Sequence, residues 1–165
     1  SHTTDLICQF AGYCPTAVFA RGIAAGEAPD GYDPEPNLTS VIIEYENGVA
    51  GVQIGAAGEH GSMYCDVIGT EGRARVGMYT SPSAYDRQGQ AIDLAQYDIP
   101  GNASPFKGAY EQIATHPDGG PLPACTNEEW LAVHEIGFAA IESVLTDRRV
   151  PLPSANRTRR IFANG

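Results

Sequence analysis

The chain has 165 residues, of which 42% are hydrophobic and 18% are charged, and its formal net charge at pH 7 is -10. This length is enough for one domain with a hydrophobic core, and no apolar run is long enough to cross a membrane, which excludes a disordered tail and a membrane span. Because acidic residues outnumber basic ones, the chain repels phosphate backbones and anionic lipids, so neither nucleic acid nor a membrane is expected as a partner.

The cysteines do not form a metal-binding pattern. Cys8, Cys14, Cys65 and Cys125 include no C-x-x-C pair and have no histidine at zinc-finger spacing, so no metal is expected. We expect four reduced, mostly buried thiols, which are typical of a cytoplasmic protein. The sequence starts at Ser1 within what reads as a helix, and we therefore expect that an N-terminal part of the protein precedes it.

The first part of the chain predicts a helix, a strand and a loop. Apolar side chains recur at helical spacing in residues 2–10, and Gly12 follows as a stop signal. In residues 15–23 two sets of side chains alternate with a period of two, and the first half contains β-branched and aromatic residues. Both features favour a strand. Residues 26–37 are rich in proline and glycine and predict a surface loop.

A first β-hairpin is predicted from residues 38–45 and 49–57. Both segments are rich in β-branched and aromatic residues, and Glu46-Asn47-Gly48 joins them. Asparagine and glycine tolerate positive φ angles, so an Asn-Gly pair between two strands is a strong hairpin signal.

A second β-hairpin is predicted from residues 62–68 and 73–79. Its turn is Gly69-Thr70-Glu71-Gly72, in which the two glycines can take left-handed conformations. Residues 91–97 predict one more short strand. With the first hairpin and the strand before it, these segments give a predominantly β middle region.

Two helices are predicted near the end of the chain. Phe106, Tyr110 and Ile113 recur at amphipathic helical spacing after Pro105. A loop rich in proline and glycine, residues 116–125, then precedes the strongest helix signal in the sequence.

That strongest helix is predicted over residues 126–147. Thr126 and Glu129 have the spacing of a capping box, which satisfies two backbone donors at a helix start. One face of this helix is apolar and the opposite face is acidic. The apolar set is Trp130, Val133, Gly137, Ala140, Ile141 and Val144, and the acidic set is Glu128, Glu135 and Glu142.

This order of elements predicts an α+β domain. We expect a mostly antiparallel, open-faced sheet of five or more strands with helices packed on one face. Strand residues such as Ile42, Val52 and Ile54 leave neither sheet face fully polar. A face that neither helices nor water covers is expected to be buried against another subunit, so we predict an oligomer.

Two pairs of polar residues are candidates for chemistry. His2 and Asp5 stand one helical turn apart, so a base and a carboxylate would project together, although such a pair is more often an ordinary exposed one. Glu59 and His60 lie between glycines and would form either a binding rim or a flexible turn in water. The chain has no G-x-G-x-x-G, P-loop, G-x-S-x-G or H-E-x-x-H motif, and so no dinucleotide site of its own.

Four segments together resemble the C-terminal domain of the Gfo/Idh/MocA oxidoreductases. Residues 2–6 are similar to the H-x-x-D-L segment that begins that domain, and residues 38–54 are similar to its first central hairpin. Residues 63–72 resemble its next hairpin, and residues 121–153 its closing helix and tail. The order and spacing of all four segments carry the resemblance, which covers nearly the whole chain.

The resemblance implies that residues 1–165 are the C-terminal substrate-binding and oligomerisation domain of an NAD(P)-dependent oxidoreductase. NAD or NADP would be bound mainly by an N-terminal Rossmann domain that is absent from this chain, and this chain alone would be inactive. The substrate would be a sugar, a polyol or a related hydroxyl compound that loses a hydride. A homodimer or homotetramer formed through the sheet face is also implied.

The resemblance further implies roles for individual residues. His2 matches the family's catalytic histidine, and an imidazole with an ordinary pKa of ~6.5 is suited to accept a hydroxyl proton near neutral pH. Asp5 matches a carboxylate that contacts substrate in polyol-using members. Glu59 and His60 fall near where other members place a substrate-contacting tyrosine, which is not evident here. The family's catalytic lysine and a further aspartate would lie upstream of Ser1.

Two alternatives remain open from the sequence. One is a non-catalytic binding or oligomerisation module of the same fold. The other is a family member that uses NAD transiently for hydrolysis or elimination. The sequence that precedes Ser1 would discriminate, since an intact G-x-G-x-x-G motif and an E-K-P motif would favour redox chemistry.

Overall fold

The computed structural model describes residues 2–23, 26–55, 64–77, 81–97, 105–120, 122 and 126–162. The chain divides into two compact units, one of residues 1–63 with 131–165 and the other of residues 64–130. The sheets are antiparallel except for one short parallel pair, and the predicted α+β fold class is confirmed.

The helices and strands of the described residues follow the predicted order closely. In chain order they are α1 (His2–Ala11), β1 (Pro15–Ile23), β2 (Asp33–Pro34), β3 (Asn37–Tyr45), β4 (Ala50–Ile54), β5 (Tyr64–Gly69), β6 (Gly72–Gly77), β7 (Ser83–Asp86), α2 (Pro105–Thr115), α3 (Asn127–Thr146), β8 (Val150–Pro151) and β9 (Ile161–Phe162). Both predicted hairpins, the first strand and all three predicted helices are confirmed.

The first unit contains an antiparallel four-stranded sheet in the order β4-β3-β1-β8. The turn between β3 and β4 forms as predicted, with Gly48 at a φ of 81° and the Asn47 side chain accepting a hydrogen bond from the Val49 N–H at 3.1 Å. Asn47 also donates through Nδ2 to the carbonyl of Ala11 at 2.9 Å. The hairpin turn is therefore attached to the last residue of α1.

Both α1 and α3 pack on one face of this sheet. A Cβ atom at Gly51 of β4 would lie only 2.5 Å from Ile7 of α1, so the glycine allows the helix to approach the strand closely. On α3, the fully buried Ser143 accepts a hydrogen bond from the Ala20 N–H of β1 at 2.9 Å. The core between the helices and the sheet includes Val18, Ala20, Val41, Ile43, Tyr45, Val133, Ile136 and Ala140.

The helix α3 begins with the predicted capping box but buries a different set of side chains. Thr126 N–H donates to Glu129 Oε2 at 2.7 Å, and Glu129 N–H donates to Thr126 Oγ1 at 3.3 Å. The assignment of Trp130 to the buried face is wrong, because this side chain is 51% exposed, whereas Ile136 is buried. On the acidic face, Glu135 and Glu142 are half-buried.

The C-terminal tail accounts for the burial of these two glutamates. Ser154 donates to Glu135 Oε1 through its N–H at 3.1 Å and to Glu142 Oε2 through its hydroxyl at 3.2 Å. Further along, Arg159 Nη1 donates to Asp33 Oδ2 at 2.6 Å. The tail ends as β9, which pairs in parallel with β2 inside the loop predicted over residues 26–37.

The second unit contains the antiparallel sheet β5-β6-β7. The strand β7 was not expected from the sequence, and the prediction of a strand over residues 91–97 is wrong. Ala91 forms only an isolated bridge, and a 3-10 turn follows at Leu94–Gln96, where Asp93 accepts a hydrogen bond from the Ala95 N–H. In the described residues the largest sheet has four strands, so the expected sheet of five or more strands is not observed.

The cysteines described by the structure are unpaired thiols, but they are less buried than expected. Cys8 is buried, Cys65 is half-buried and Cys14 is exposed. Cys125 lies outside the described residues. Within the described part of the chain, no helix is long and apolar enough to span a membrane.

Candidate functional site

The first turns of α1 carry His2 and Asp5, the two residues that the sequence singles out most strongly. The helix starts at His2, so the two residues lie one turn apart on the same side of it, as predicted. His2 is exposed and Asp5 is half-buried. An exposed imidazole beside a partly shielded carboxylate is an arrangement that can exchange a proton with a bound hydroxyl group.

The carboxylate of Asp5 is held by two side chains that sequence reasoning did not identify. Tyr13 donates its hydroxyl to Oδ1 at 2.9 Å, and Gln9 donates through Nε2 to Oδ2 at 3.1 Å. The Gln9 contact has helical i, i+4 spacing and could have been found in the sequence. The Tyr13 contact could not have been found in the sequence, because it depends on how the chain turns after α1 ends.

Two further hydrogen bonds attach α1 to the β3–β4 hairpin. Cys8 Sγ and the Tyr45 hydroxyl lie 3.3 Å apart, and both side chains are buried. Thr4 donates through Oγ1 to Gln53 Oε1 at 2.9 Å. Since these contacts lie on the side of α1 that faces the sheet, they fix the helix that carries His2 and Asp5.

The buried Cys8 and Tyr45 stay protonated well above neutral pH. Burial raises the pKa of the Cys8 thiol above its ordinary value of 9.0, although its hydrogen bond to Tyr45 has the opposite effect. Burial also raises the pKa of Tyr45, and the neighbouring Cys8 and Tyr13 raise it further. The pair therefore remains neutral in the pH range where a histidine titrates.

Not every candidate residue can be located in the structure. Glu59 and His60 lie outside the described residues. Of the other histidines, His116 contacts the Gly120 carbonyl through Nδ1 at 3.3 Å in the loop after α2. No group of three or more His, Cys, Asp or Glu side chains in the described residues could hold a metal ion.

The sheet of the first unit has an apolar face opposite its helices. Ile42 pairs with Phe19 on one side and with Val52 on the other, so these side chains form a row across three strands. Val52 is 58% exposed and Ile54 is 83% exposed. Large aliphatic side chains this exposed on a sheet are typical of a surface that another protein chain covers.

Neither His2 nor Asp5 lines either of two shallow clefts in the described residues. One, of about 240 Å³, lies on the β5-β6-β7 sheet beside Arg73, Arg75 and Tyr85. The other, of about 290 Å³, lies at the end of α1. It is lined by Ala11, Gly12, Cys14, Tyr45, Glu46 and Asn47.

Solved structures similar in fold to this chain include oxidoreductases and dehydrogenases. A protein of Desulfitobacterium hafniense assigned as an NADPH-dependent oxidoreductase is 17% identical over 91% of this chain, with a TM-score of 0.69. The aldose-aldose oxidoreductase of Caulobacter crescentus, solved with glycerol, is 14% identical over 92%, with a TM-score of 0.65. The WlbA dehydrogenase of Chromobacterium violaceum, solved with NADH and UDP-GlcNAcA, is 18% identical over 92%, with a TM-score of 0.62.

The chain spans less than half of these proteins, namely 45%, 45% and 44% of their respective lengths. No protein-family model and no curated protein sequence matches it. At these sequence identities the likeness establishes the fold. The resemblance to the Gfo/Idh/MocA oxidoreductases is confirmed at that level, and the chain has the fold of a domain found in oxidoreductases.

Proposed function

We propose that this chain is the C-terminal substrate-binding and oligomerisation domain of an NAD(P)-dependent oxidoreductase that acts on a sugar, a polyol or a related hydroxyl compound. The observation that carries the proposal is the placement of His2 and Asp5 on one side of α1, within a fold that oxidoreductases share. The sugar-related ligands of two structural neighbours support the substrate class, since one was solved with UDP-GlcNAcA and the other with glycerol.

In the proposed reaction His2 acts as the base. Oxidation of a carbinol requires the loss of the hydroxyl proton as the hydride leaves the carbon, and the exposed imidazole of His2 accepts that proton. Asp5 accepts a hydrogen bond from another hydroxyl group of the substrate and thereby orients it. Glu59 and His60 are proposed as additional substrate contacts, by resemblance alone.

The described residues do not fit the dinucleotide itself. They contain no glycine-rich turn between a strand and a helix, which is the feature that holds a pyrophosphate in dinucleotide-binding folds. We therefore propose that NAD or NADP, which would accept the hydride, is bound mainly by an N-terminal domain that precedes this chain. A neighbour solved with NADH supports a nicotinamide cofactor.

The apolar sheet face is proposed as the contact between copies of the protein. The row of Phe19, Ile42 and Val52 would be buried in a homodimer or homotetramer, in which two identical faces meet around a symmetry axis. Because this sheet face lies opposite α1, which carries His2 and Asp5, an interface there would leave the surface around these two residues open to substrate.

Steady-state kinetics of the full-length protein test the proposal. Wild type, His2→Ala and the matched control His116→Ala are assayed on a panel of sugars and polyols with NAD and NADP. We expect His2→Ala to lower kcat by about 10² to 10⁴, the usual range for a general base, while the Kd of the cofactor stays unchanged. Wild-type rates in His2→Ala would remove His2 from the mechanism. No turnover of any substrate by wild type would favour the non-catalytic module.

A further inference from the structure

We propose that Tyr13 is a positioning residue, which fixes the carboxylate of Asp5 in the orientation that receives a substrate hydroxyl group. This inference rests on the proposed function, in which Asp5 contacts the substrate. It adds a residue that contacts neither the substrate nor the reacting atoms. Tyr13 lies outside the helix that carries the candidate site and acts on that site only through Asp5.

The contacts of Asp5 show how its carboxylate is restrained. Tyr13 donates to one oxygen at 2.9 Å and Gln9 to the other at 3.1 Å, so rotation of the carboxylate in either direction breaks a hydrogen bond. The Gln9 side chain is exposed, and water can replace its contact at little cost. Tyr13 is half-buried and forms the shorter of the two bonds, so it provides the stronger restraint.

The backbone after α1 explains why Tyr13 reaches Asp5. Gly12 ends the helix with a φ of 92°, a left-handed conformation that suits glycine, and its N–H donates to the Cys8 carbonyl at 2.8 Å. This reversal returns Tyr13 along the helix to the level of Asp5.

The restrained carboxylate favours one kind of ligand. An ionised carboxylate only accepts hydrogen bonds and has about four acceptor positions, of which two are occupied here. The remaining positions require a donor, such as a hydroxyl group. A ligand that carries a hydrogen atom or a methyl ether at that point offers no donor to the remaining positions and binds more weakly.

The test is a double-mutant cycle in the full-length protein between Tyr13→Phe and Asp5→Ala, with KM and kcat measured separately. Tyr13→Phe keeps the ring and removes only the hydroxyl group. We expect KM to rise about tenfold for a substrate with the contacted hydroxyl and kcat to change less than about twofold. KM for the corresponding deoxy compound should not change. Tyr110→Phe, on the exposed surface of α2, is the matched control.

Each outcome of the cycle separates this inference from the function on which it rests. If Tyr13→Phe raises KM in the wild-type background but not in the Asp5→Ala background, Tyr13 acts through Asp5 as proposed. If Asp5→Ala raises KM and Tyr13→Phe does not, Tyr13 has no positioning role while the role of Asp5 stands. If Tyr13→Phe raises KM equally in both backgrounds, Tyr13 acts independently of Asp5 and the inference is wrong. If Asp5→Ala leaves KM unchanged, the role proposed for Asp5 fails, and this inference with it.

Discussion

The thiol of Cys8 and the hydroxyl of Tyr45 lie 3.3 Å apart in the core between α1 and β3. Cys8 faces the sheet from the same helix that presents His2 at its start, and Tyr45 is the last residue of β3. Because both side chains are buried, each depends on the other to satisfy its polar atom. This pair therefore links the orientation of the candidate site to the strand beneath it.

Removal of the Tyr45 hydroxyl should destabilise the protein measurably. Tyr45→Phe keeps the aromatic packing but leaves the buried Cys8 without its hydrogen-bond partner, and we expect the free energy of unfolding to fall by about 1 kcal/mol. Urea denaturation followed by circular dichroism measures this change. Tyr110→Phe should have no effect, because that side chain is 71% exposed. Equal stability of Tyr45→Phe and wild type would mean that the Cys8–Tyr45 contact contributes nothing.

The same pair predicts a loss of stability at alkaline pH. The pKa of Cys8 is raised above 9.0 in the folded state, so the unfolded chain releases its thiol proton first as the pH rises. The contribution of the neutral thiol is present in full below about pH 9 and is lost as the pH rises towards the folded pKa. Denaturation curves between about pH 8 and pH 11 should show this decline. The free energy of unfolding should fall less steeply with pH in Cys8→Ala than in wild type. The same slope in both proteins would contradict the prediction.

The apolar sheet face should control assembly. Val52→Asp places a charge in the apolar row of Phe19, Ile42 and Val52. We expect this variant of the full-length protein to sediment as a monomer at micromolar concentration, and wild type to sediment as a dimer or tetramer. Ile113→Asp on α2 is the matched control, because both side chains are 58% exposed. Analytical ultracentrifugation distinguishes the species. An oligomer that persists in Val52→Asp and dissociates in Ile113→Asp would place the interface elsewhere.

The C-terminal tail should depend on Arg159 for its order. This side chain is only 14% exposed and binds Asp33, next to the backbone hydrogen bond from the Asp33 N–H to the Arg160 carbonyl. We expect Arg159→Met to increase amide hydrogen exchange at Asp33 about tenfold, because the ion pair no longer supports that strand pair. Arg157→Met is the control, since Arg157 is exposed and binds Glu135 instead. Unchanged exchange in Arg159→Met would show that the strand pair needs no ion pair.

The sequence by itself determined those parts of the fold that local chemistry specifies. The capping box of Thr126 and Glu129 starts α3, Asn47 and Gly48 form the first hairpin turn, and Gly12 ends α1. Each of these features satisfies its own backbone groups within a few residues, so its signal is complete in a short stretch of sequence. The resemblance based on the order of these segments also led to the correct fold.

Features that depend on residues far apart in the chain were decided only by the tertiary structure. The tail covers Glu135 and Glu142, and no helical pattern in α3 could reveal that a segment beyond the helix would bury its acidic face. The strand β7 is only four residues long and forms because β6 offers it an edge. Tertiary contacts of this kind outweigh weak local preferences for short segments.

The residues of the candidate site also divide into those that local sequence indicates and those that only tertiary packing brings together. The sequence made His2 and Asp5 candidates because helical spacing puts them on one side of α1 and because the resemblance matches them to site residues. It could not identify Tyr13 as the partner of Asp5, since that contact requires the chain to reverse at Gly12. Nor could it show that Cys8 meets Tyr45, because only the packing of α1 against β3 brings together two polar groups so far apart in the chain. Periodicity specifies which residues share a face, whereas packing decides what each face meets.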